Sequence, residues 1–258
     1  MKKIIFSGVF TLLVLVAQAQ FEINAFGIGQ NTIIRNTESD ENIIQNKFTL
    51  SSSAGLRAMY FTSGGFGIGG SLMYSAQNQK FDAVNPIDDS IIYSGKRRLD
   101  YIKIACLAAY RFTISDQFSW QIFGGPQLAY LLKGDGAIPV YMYNASSPYF
   151  YFDVPVADSK YYNTIGFEMV VGAGIDYMLN RNFGINAGFR MDYGLTDVEN
   201  KATFDERVYN SGNMENAVGK TGNTSLGLYY GVTYRFGSSH LSAPSQKFGN
   251  KRKPSYKR

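Results

Sequence analysis

The sequence predicts an all-β protein, an eight-stranded antiparallel transmembrane β-barrel of up-and-down topology over residues 20–237. Three observations predict it. Long stretches alternate strictly with period two, one face carrying large apolar residues and the other glycine and charge. Short and long connections alternate along the chain. After residue 19 no run is apolar and long enough for a spanning helix, which needs about 20 residues.

The stretch from Tyr161 to Leu195 is the clearest case. Ile165, Phe167, Met169, Val171, Ala173, Ile175, Tyr177 and Leu179 share one parity, with Gly166, Glu168, Val170, Gly172, Gly174, Asp176 and Met178 between them. After Asn180-Arg181-Asn182 the pattern resumes as Phe183, Ile185, Ala187, Phe189, Met191, Tyr193 and Leu195, interleaved with Gly184, Asn186, Gly188, Arg190, Asp192 and Gly194. Strands in soluble sheets usually run about five or six residues. A membrane-spanning strand needs about 9–11, and both halves of this hairpin supply that. The glycine and charge face then points into a crowded lumen and the apolar face to lipid.

The remaining strands follow in order. Gln20–Gln30 (QFEINAFGIGQ) is the first, its alternation blurred around Ala25-Phe26. A polar loop over 31–46 leads to the second, Lys47–Phe61, with Phe48, Leu50, Ala54, Leu56, Ala58 and Tyr60 on one face and Arg57 on the other. Ser63-Gly64-Gly65 is a tight turn. The third strand is Phe66–Gln77, followed by a polar connection over 78–98. The fourth, from about Leu99 to Phe112, sets Ile102, Ile104, Cys106, Ala108, Tyr110 and Phe112 against Lys103 and Arg111. The fifth is Phe118–Lys133, where Pro126 implies a break or bulge. The longest connection spans 134–160, another polar stretch spans 196–223, and Thr224–Phe236 closes the barrel with Arg235 inward. Three short connections then fall at the end shared by both termini and four long ones at the other, matching short periplasmic turns and long extracellular loops. Tyr60, Tyr110, Phe112, Trp120, Tyr130, Tyr177, Tyr193, Tyr230 and Phe236 are placed towards strand ends, as aromatic girdles. The structural rival is a soluble, lipocalin-like barrel with the apolar residues inside.

The ends and the composition bound the rest. Residues 1–19 read as a secretory signal peptide: Lys2 and Lys3, an apolar Ile4–Val16, and an Ala17-Gln18-Ala19 cleavage site. Export followed by alternating strands places the protein in the outer membrane of a Gram-negative cell, surrounded by outer-membrane lipid. The formal charge of +5 is misleading. Residues 238–258 contribute six cations and no acid, the signal peptide two more, and 20–237 hold 17 basic and 20 acidic residues. A mildly acidic body argues against nucleic acid as a partner. The basic tail reads as disordered and periplasmic, able to touch anionic lipid or a periplasmic protein. One cysteine, Cys106, excludes an intramolecular disulfide; on the lipid face it reads as a small hydrophobe.

Three segments also resemble a known family: RRLDYIKIACLAAYRF with FSWQIFGGPQLAYLL, FEMVVGAGIDYMLNRNFGINAGFRMDYGLTDVEN, and the closing LGLYYGVTYRF. They are similar to PorT-like outer-membrane β-barrel proteins of Bacteroidetes-type bacteria, a group that the AQAQ end of the leader also fits. The resemblance covers roughly residues 20–237, and its motifs mark strands and turns. It implies an outer-membrane barrel with a structural or interaction role, accessory to protein export, with export-machinery proteins as partners. The tail over 238–258 departs from the family, whose members usually stop soon after the closing strand.

Candidate sites lie in two places. Arg57, Lys103, Arg111, Arg190 and Arg235 are expected inside the lumen with Glu168, Asp176 and Asp192. An unpaired buried charge is costly, so these form either a salt-bridged plug or a gated ion path, a narrow channel or transporter favouring anions. The connection over 134–160 carries Tyr141, Tyr143, Tyr149, Phe150, Tyr151 and Phe152, which read as exposed contacts for a partner or as strand extensions and a lid. No catalytic, cofactor-binding or metal-ligating set is expected. The only histidine, His240, lies in the tail, so the barrel lacks the usual base for activating a hydroxyl. The acids Asp40, Glu41, Asp88, Asp89, Asp197, Glu199, Asp205 and Glu206 read as solvated loop surface. The expectation is therefore a protein that is not an enzyme.

Overall fold

The computed structural model describes residues 20–36, 44–85, 88–144, 147–156, 159–200 and 220–236, and between 137 and 159 only the course of the backbone. The expected signal peptide, the basic tail with His240, and Asp40, Glu41, Asp205 and Glu206 lie outside the described residues.

The strands are β1 (Gln20–Asn36), β2 (Ile44–Lys47), β3 (Leu50–Phe61), β4 (Phe66–Val84), β5 (Ile91–Thr113), β6 (Phe118–Asn144), β7 (Ser147–Val156), β8 (Ile165–Met178), β9 (Phe183–Gly194) and β10 (Thr221–Phe236). Eight of them close a ring of antiparallel neighbours, β1-β3-β4-β5-β6-β8-β9-β10 and back to β1. The predicted eight-stranded barrel is the fold observed. The closing seam pairs Phe21 with Phe236 at one end and Asn36 with Thr221 at the other. Closure removes the edges that an open sheet would leave unpaired.

Three tight connections occupy the end where β1 starts and β10 finishes. In one, Asn180 Oδ1 accepts hydrogen bonds from the Asn182 and Phe183 amides at 2.9 and 2.8 Å, an Asx turn. In another, Gly65 adopts a φ of 85°, and a Cβ there would lie 2.4 Å from the Arg111 carbonyl oxygen. Only glycine fits that corner.

The outer face decides between lipid and water. Phe189 is 63 % exposed and its neighbour Arg190 only 5 %. Along β8 the exposed residues are Ile165, Phe167, Met169, Val171, Ile175 and Tyr177, while Glu168, Val170, Asp176 and Met178 are buried. A soluble barrel would bury the first set, so the lipocalin-like alternative is excluded. Rings gather at the turn end, with Phe112 stacked on Trp120 at 3.9 Å and Tyr234 packed against Phe183 and Phe236 at 4.9 and 4.7 Å. Tyr230 is not a girdle residue: it pairs with Gly27 mid-strand and lays its ring over that glycine. Cys106 is exposed on the outer face, as expected.

The strands run further than the apolar alternation does, and always at the loop end. β4 continues from Tyr74 to Val84 and β5 begins at Ile91, so most of the expected 78–98 connection is a paired hairpin. β6 extends to Asn144 and pairs with β7, Gly136 opposite Val156 and Asn144 opposite Ser147. The predicted loop over 134–160 is therefore largely strand, which is the strand-extension alternative. Beyond the apolar band neither face needs to be apolar, so period two is no longer written in hydrophobicity.

Pro126 breaks the ladder to β5 without changing register: Ala105 pairs Gln127 and Ala108 pairs Gly124, with nothing paired between. The β-bulge lies further up, where Asp100 pairs Lys133 and Tyr101 pairs Leu131, leaving Leu132 over.

Candidate functional site: the charged lumen

Inward parity brings seven of the eight predicted lumen residues together as two clusters. Nearer the loop end, the Lys103 ammonium donates to Glu168 Oε2 at 2.6 Å and to Asp192 Oδ2 at 3.2 Å. Arg190 donates from Nε to Asp192 Oδ1 at 2.9 Å and from Nη2 to Gln127 Oε1 at 2.6 Å. The Gln127 amide returns to Glu168 Oε2 at 2.5 Å. Asn223 donates to Glu168 Oε1 and to Gln77 Oε1, each at 3.1 Å. Two cations and two carboxylates cancel, and Lys103 is fully buried.

The second cluster sits nearer the turns. Arg111 makes a two-pronged contact with Glu22, at 2.7 Å to Oε1 and 2.5 Å to Oε2. Arg235 also donates to Glu22 Oε1, and the two residues are opposite each other across the β1–β10 seam. Arg111 Nε lies 3.9 Å from Asp176 Oδ2. Its guanidinium also lies over the Phe61 ring, 3.7 Å from the centroid. Arg57 is placed differently, over Phe123 at 5.0 Å and Tyr229 at 5.8 Å. These are distances at which a cation is attracted to a ring face.

An apolar layer separates the clusters. On β5 the inward residues between Lys103 and Arg111 are Ala105, Leu107 and Ala109, all buried. On β8, Val170, Gly172 and Gly174 stand between Glu168 and Asp176. Phe26, Ile28, Met59, Met73, Phe123 and Tyr229 complete the layer, with the Arg57 guanidinium set among its rings. Inward glycines make the room: a Cβ on Gly172 would lie 2.3 Å from Phe123 Cζ, and one on Gly174 2.0 Å from Tyr229 Oη.

At the loop end a cap closes over the upper cluster. Tyr161 and Tyr162 are buried with Leu99, Tyr101, Leu131 and Val198. Arg97 meets Glu199 at 3.1 Å, and the Thr221 hydroxyl donates to Glu199 at 2.7 Å. Glu199 is thus a buried ion-pair partner, a correction to its reading as solvated loop surface. Asp197 also binds inward, accepting from the Thr221 amide at 2.5 Å; Asp88 and Asp89 are exposed as expected. Burial pushes the Tyr162 hydroxyl up to about 12.

All eight predicted lumen residues face inward. Sequence reasoning missed Glu22, the hub of the lower cluster, and the neutral partners Gln127, Asn223 and Gln77. Parity along each strand was the available signal. In β1 it was masked because Phe26 and Ile28 point inward while Ala25, Gly27 and Gly29 lie on the outer parity. The aromatic residues predicted as loop contacts fall on strands, Tyr141 and Tyr143 on β6 and Tyr149, Phe150, Tyr151 and Phe152 on β7. Their side chains lie outside the described residues.

A family model described as "Outer membrane protein beta-barrel domain" matches residues 17–200. The chain belongs to that family. The same family and fold place it in the outer membrane; they do not separate the PorT-like group from its relatives. No curated protein matches the chain. Among solved structures it is similar to Neisserial surface protein A at 14 % identity, covering 84 % of this chain and 97 % of that one, TM-score 0.41. It is also similar to the outer membrane enzyme PagL at 14 % identity, covering 81 % and 97 %, TM-score 0.35. The outer membrane protease OmpT from Escherichia coli matches at 10 % identity, covering 84 % and 96 %, TM-score 0.36. The last two correct the expectation that the chain is not an enzyme: proteins of this barrel type include enzymes, so that exclusion does not stand.

Two predictions follow from the lumen. Lys103→Met leaves two carboxylates sharing one buried arginine and should destabilise the barrel by about 3–5 kcal/mol. The double variant Lys103→Met/Glu168→Gln should recover part of that loss. Urea unfolding in lipid vesicles measures both, and a double variant no more stable than the single one would contradict the pairing. For Tyr162 the folded hydroxyl keeps its proton above the ordinary value of 10.0, so its contribution is present below pH 10 and is lost as pH rises towards 12. Wild type should lose about 3 kcal/mol more than Tyr162→Phe over that window. Parallel losses in the two proteins would be the contrary result.

Proposed function

We propose that the protein is an outer-membrane scaffold whose barrel is closed by its own side chains and whose loop-end strands hold a partner. In this reading both termini are periplasmic and the long connections extracellular. The observation that carries it is the apolar layer between two internally paired charge clusters, which favours a plug over the alternative of a narrow channel or transporter. An ion crossing the lumen would have to pass the closely packed Phe26, Phe123 and Tyr229, with the Arg57 guanidinium already lying over two of those rings, at a desolvation cost of several kcal/mol. The extended hairpins β4–β5 and β6–β7 support the interaction half of the reading, since they project paired backbone past the apolar band.

An accessory role in protein export, with periplasmic or export-machinery proteins as partners, is the specific form that the PorT-like resemblance implies. Purified protein in planar bilayers should give no steady conductance; a steady current altered by Arg190→Gln or Glu168→Gln would replace the scaffold with a channel. Deleting the gene should remove a defined set of exported proteins, restored by the full-length gene. An unchanged exported proteome would remove the export role while leaving the scaffold.

A further inference from the structure

A row of cations lies outside the barrel where β2, β4 and β5 pass the apolar band. Lys47 stands opposite Lys80, and Lys80 opposite Lys96. Two residues down β4, Asn78 stands opposite Arg98. Neighbouring strands are about 4.7–4.9 Å apart, so three ammonium side chains project from one face within about 10 Å. Like charges directly opposite each other destabilise a sheet.

Nearby acids relieve only part of this. Asp82 takes Lys47 and the Ser94 hydroxyl. Asp100 takes Arg98 at 2.9 Å, and Asp135 takes Lys133 at 2.7 Å. Lys80 and Lys96 have no acidic partner among the described residues, and both are exposed.

Apolar surface flanks the row. The Lys80 amide donates to Thr49 Oγ1 at 3.0 Å, which sets Thr49 and its neighbours Phe48 and Leu50 beside Lys80. Phe48 and Leu50 are 77 % and 69 % exposed. Leu50 shares the outer parity of Ala54, Leu56 and Tyr60, one serine (Ser52) above the lipid-facing row of β3. A groove of about 520 Å³ is lined by Phe48, Leu50, Lys80, Lys96, Arg98 and Asp135. Cations at the top of an apolar wall match an amphiphile with an anionic head and hydrocarbon tails.

We propose that this groove binds the phosphate headgroup of a membrane lipid, held between Lys80 and Lys96, with acyl chain against Leu50 and the band below it. Arg98 flanks the phosphate, while Lys47, on the other side of Lys80, stays with Asp82. The bound anion relieves the like-charge pairing that the strand register imposes. A lipid fits better than free phosphate because the groove's wall includes the exposed Phe48 and Leu50, which offer an acyl chain apolar contact that a free anion cannot use. The site is on the outside of the barrel, so it goes beyond the scaffold reading and does not depend on whether the lumen conducts.

Native mass spectrometry of the detergent-purified protein, titrated with diphosphoryl lipid A, tests it. Wild type should retain the lipid, and Lys80→Gln/Lys96→Gln should bind it about tenfold to thirtyfold more weakly, two lysines at about 1 kcal/mol each. Arg181→Gln, in a turn at the opposite end, should bind like wild type. The lipid-free double variant should keep its heat-dependent gel shift and be at least as stable as wild type, which separates lost binding from lost folding. Equal lipid A binding by wild type and double variant would overturn the proposal. So would an equal loss in Arg181→Gln, or displacement of the lipid by equimolar inorganic phosphate.

Discussion

The interior of an eight-stranded barrel is about wide enough to be filled by side chains, and among the described residues Glu22, Arg57, Lys103, Arg111, Glu168, Asp176, Arg190, Asp192 and Arg235 all point into it, below the Arg97–Glu199 pair of the cap. There is too little room for each to keep its own hydration, so each must find a partner within the wall or above a ring. Lys103, Glu168, Asp192 and Arg190 come from β5, β8 and β9; Glu22, Arg111 and Arg235 from β1, β5 and β10. These contacts cross the lumen as well as neighbouring seams. Slipping any strand by one residue would turn its charges to lipid and its large apolar residues inward. The paired charges therefore favour one register around the ring, and Glu22 and Arg235 do so directly across the closed seam between β1 and β10.

The apolar layer and the glycines are the complement of that constraint. Phe123 lies over Gly172, and Tyr229 fills the space that Gly174 and Gly188 leave open. Each ring then offers a face to a guanidinium, as Phe123 and Tyr229 do to Arg57. Glycine on the inner parity and large residues on the outer parity are one design seen from two sides. The outer band solves the lipid contact, and the inner glycines let a narrow lumen hold aromatic side chains. Where the band ends, the outer face of β4 and β5 turns cationic, and the barrel wall changes from a surface for acyl chains to one for anions.

The fold was largely legible because β8 and β9 alternate without interruption, and because Arg57, Lys103, Arg111, Arg190 and Arg235 stand on the parity opposite to the exposed apolar residues of their strands. Less was legible where the same physics is written in other letters. In β1 the inner parity carries Phe26 and Ile28 of the apolar layer, so the alternation inverts mid-strand and hides Glu22. Above the band, Gln77, Gln79 and Asn78 alternate in direction but not in polarity, and β4 reads as loop. Glu199 looks like any loop acid; its burial depends on Arg97 arriving from β5, a pairing across the fold that no local pattern carries. The paired lysines Lys80 and Lys96 were invisible for the same reason, since their opposition exists only once the β4–β5 register is known.

The central claim is that the lumen holds two separately paired networks kept apart by an apolar layer. A double-mutant cycle across that layer tests it most directly, using Glu22→Gln in the lower cluster and Glu168→Gln in the upper, with unfolding free energies measured in lipid vesicles. Independent networks predict that the two losses add to within about 0.5 kcal/mol. A coupling of about 1 kcal/mol or more would mean that charge is shared through the middle of the barrel, and the closed, layered lumen would have to be given up.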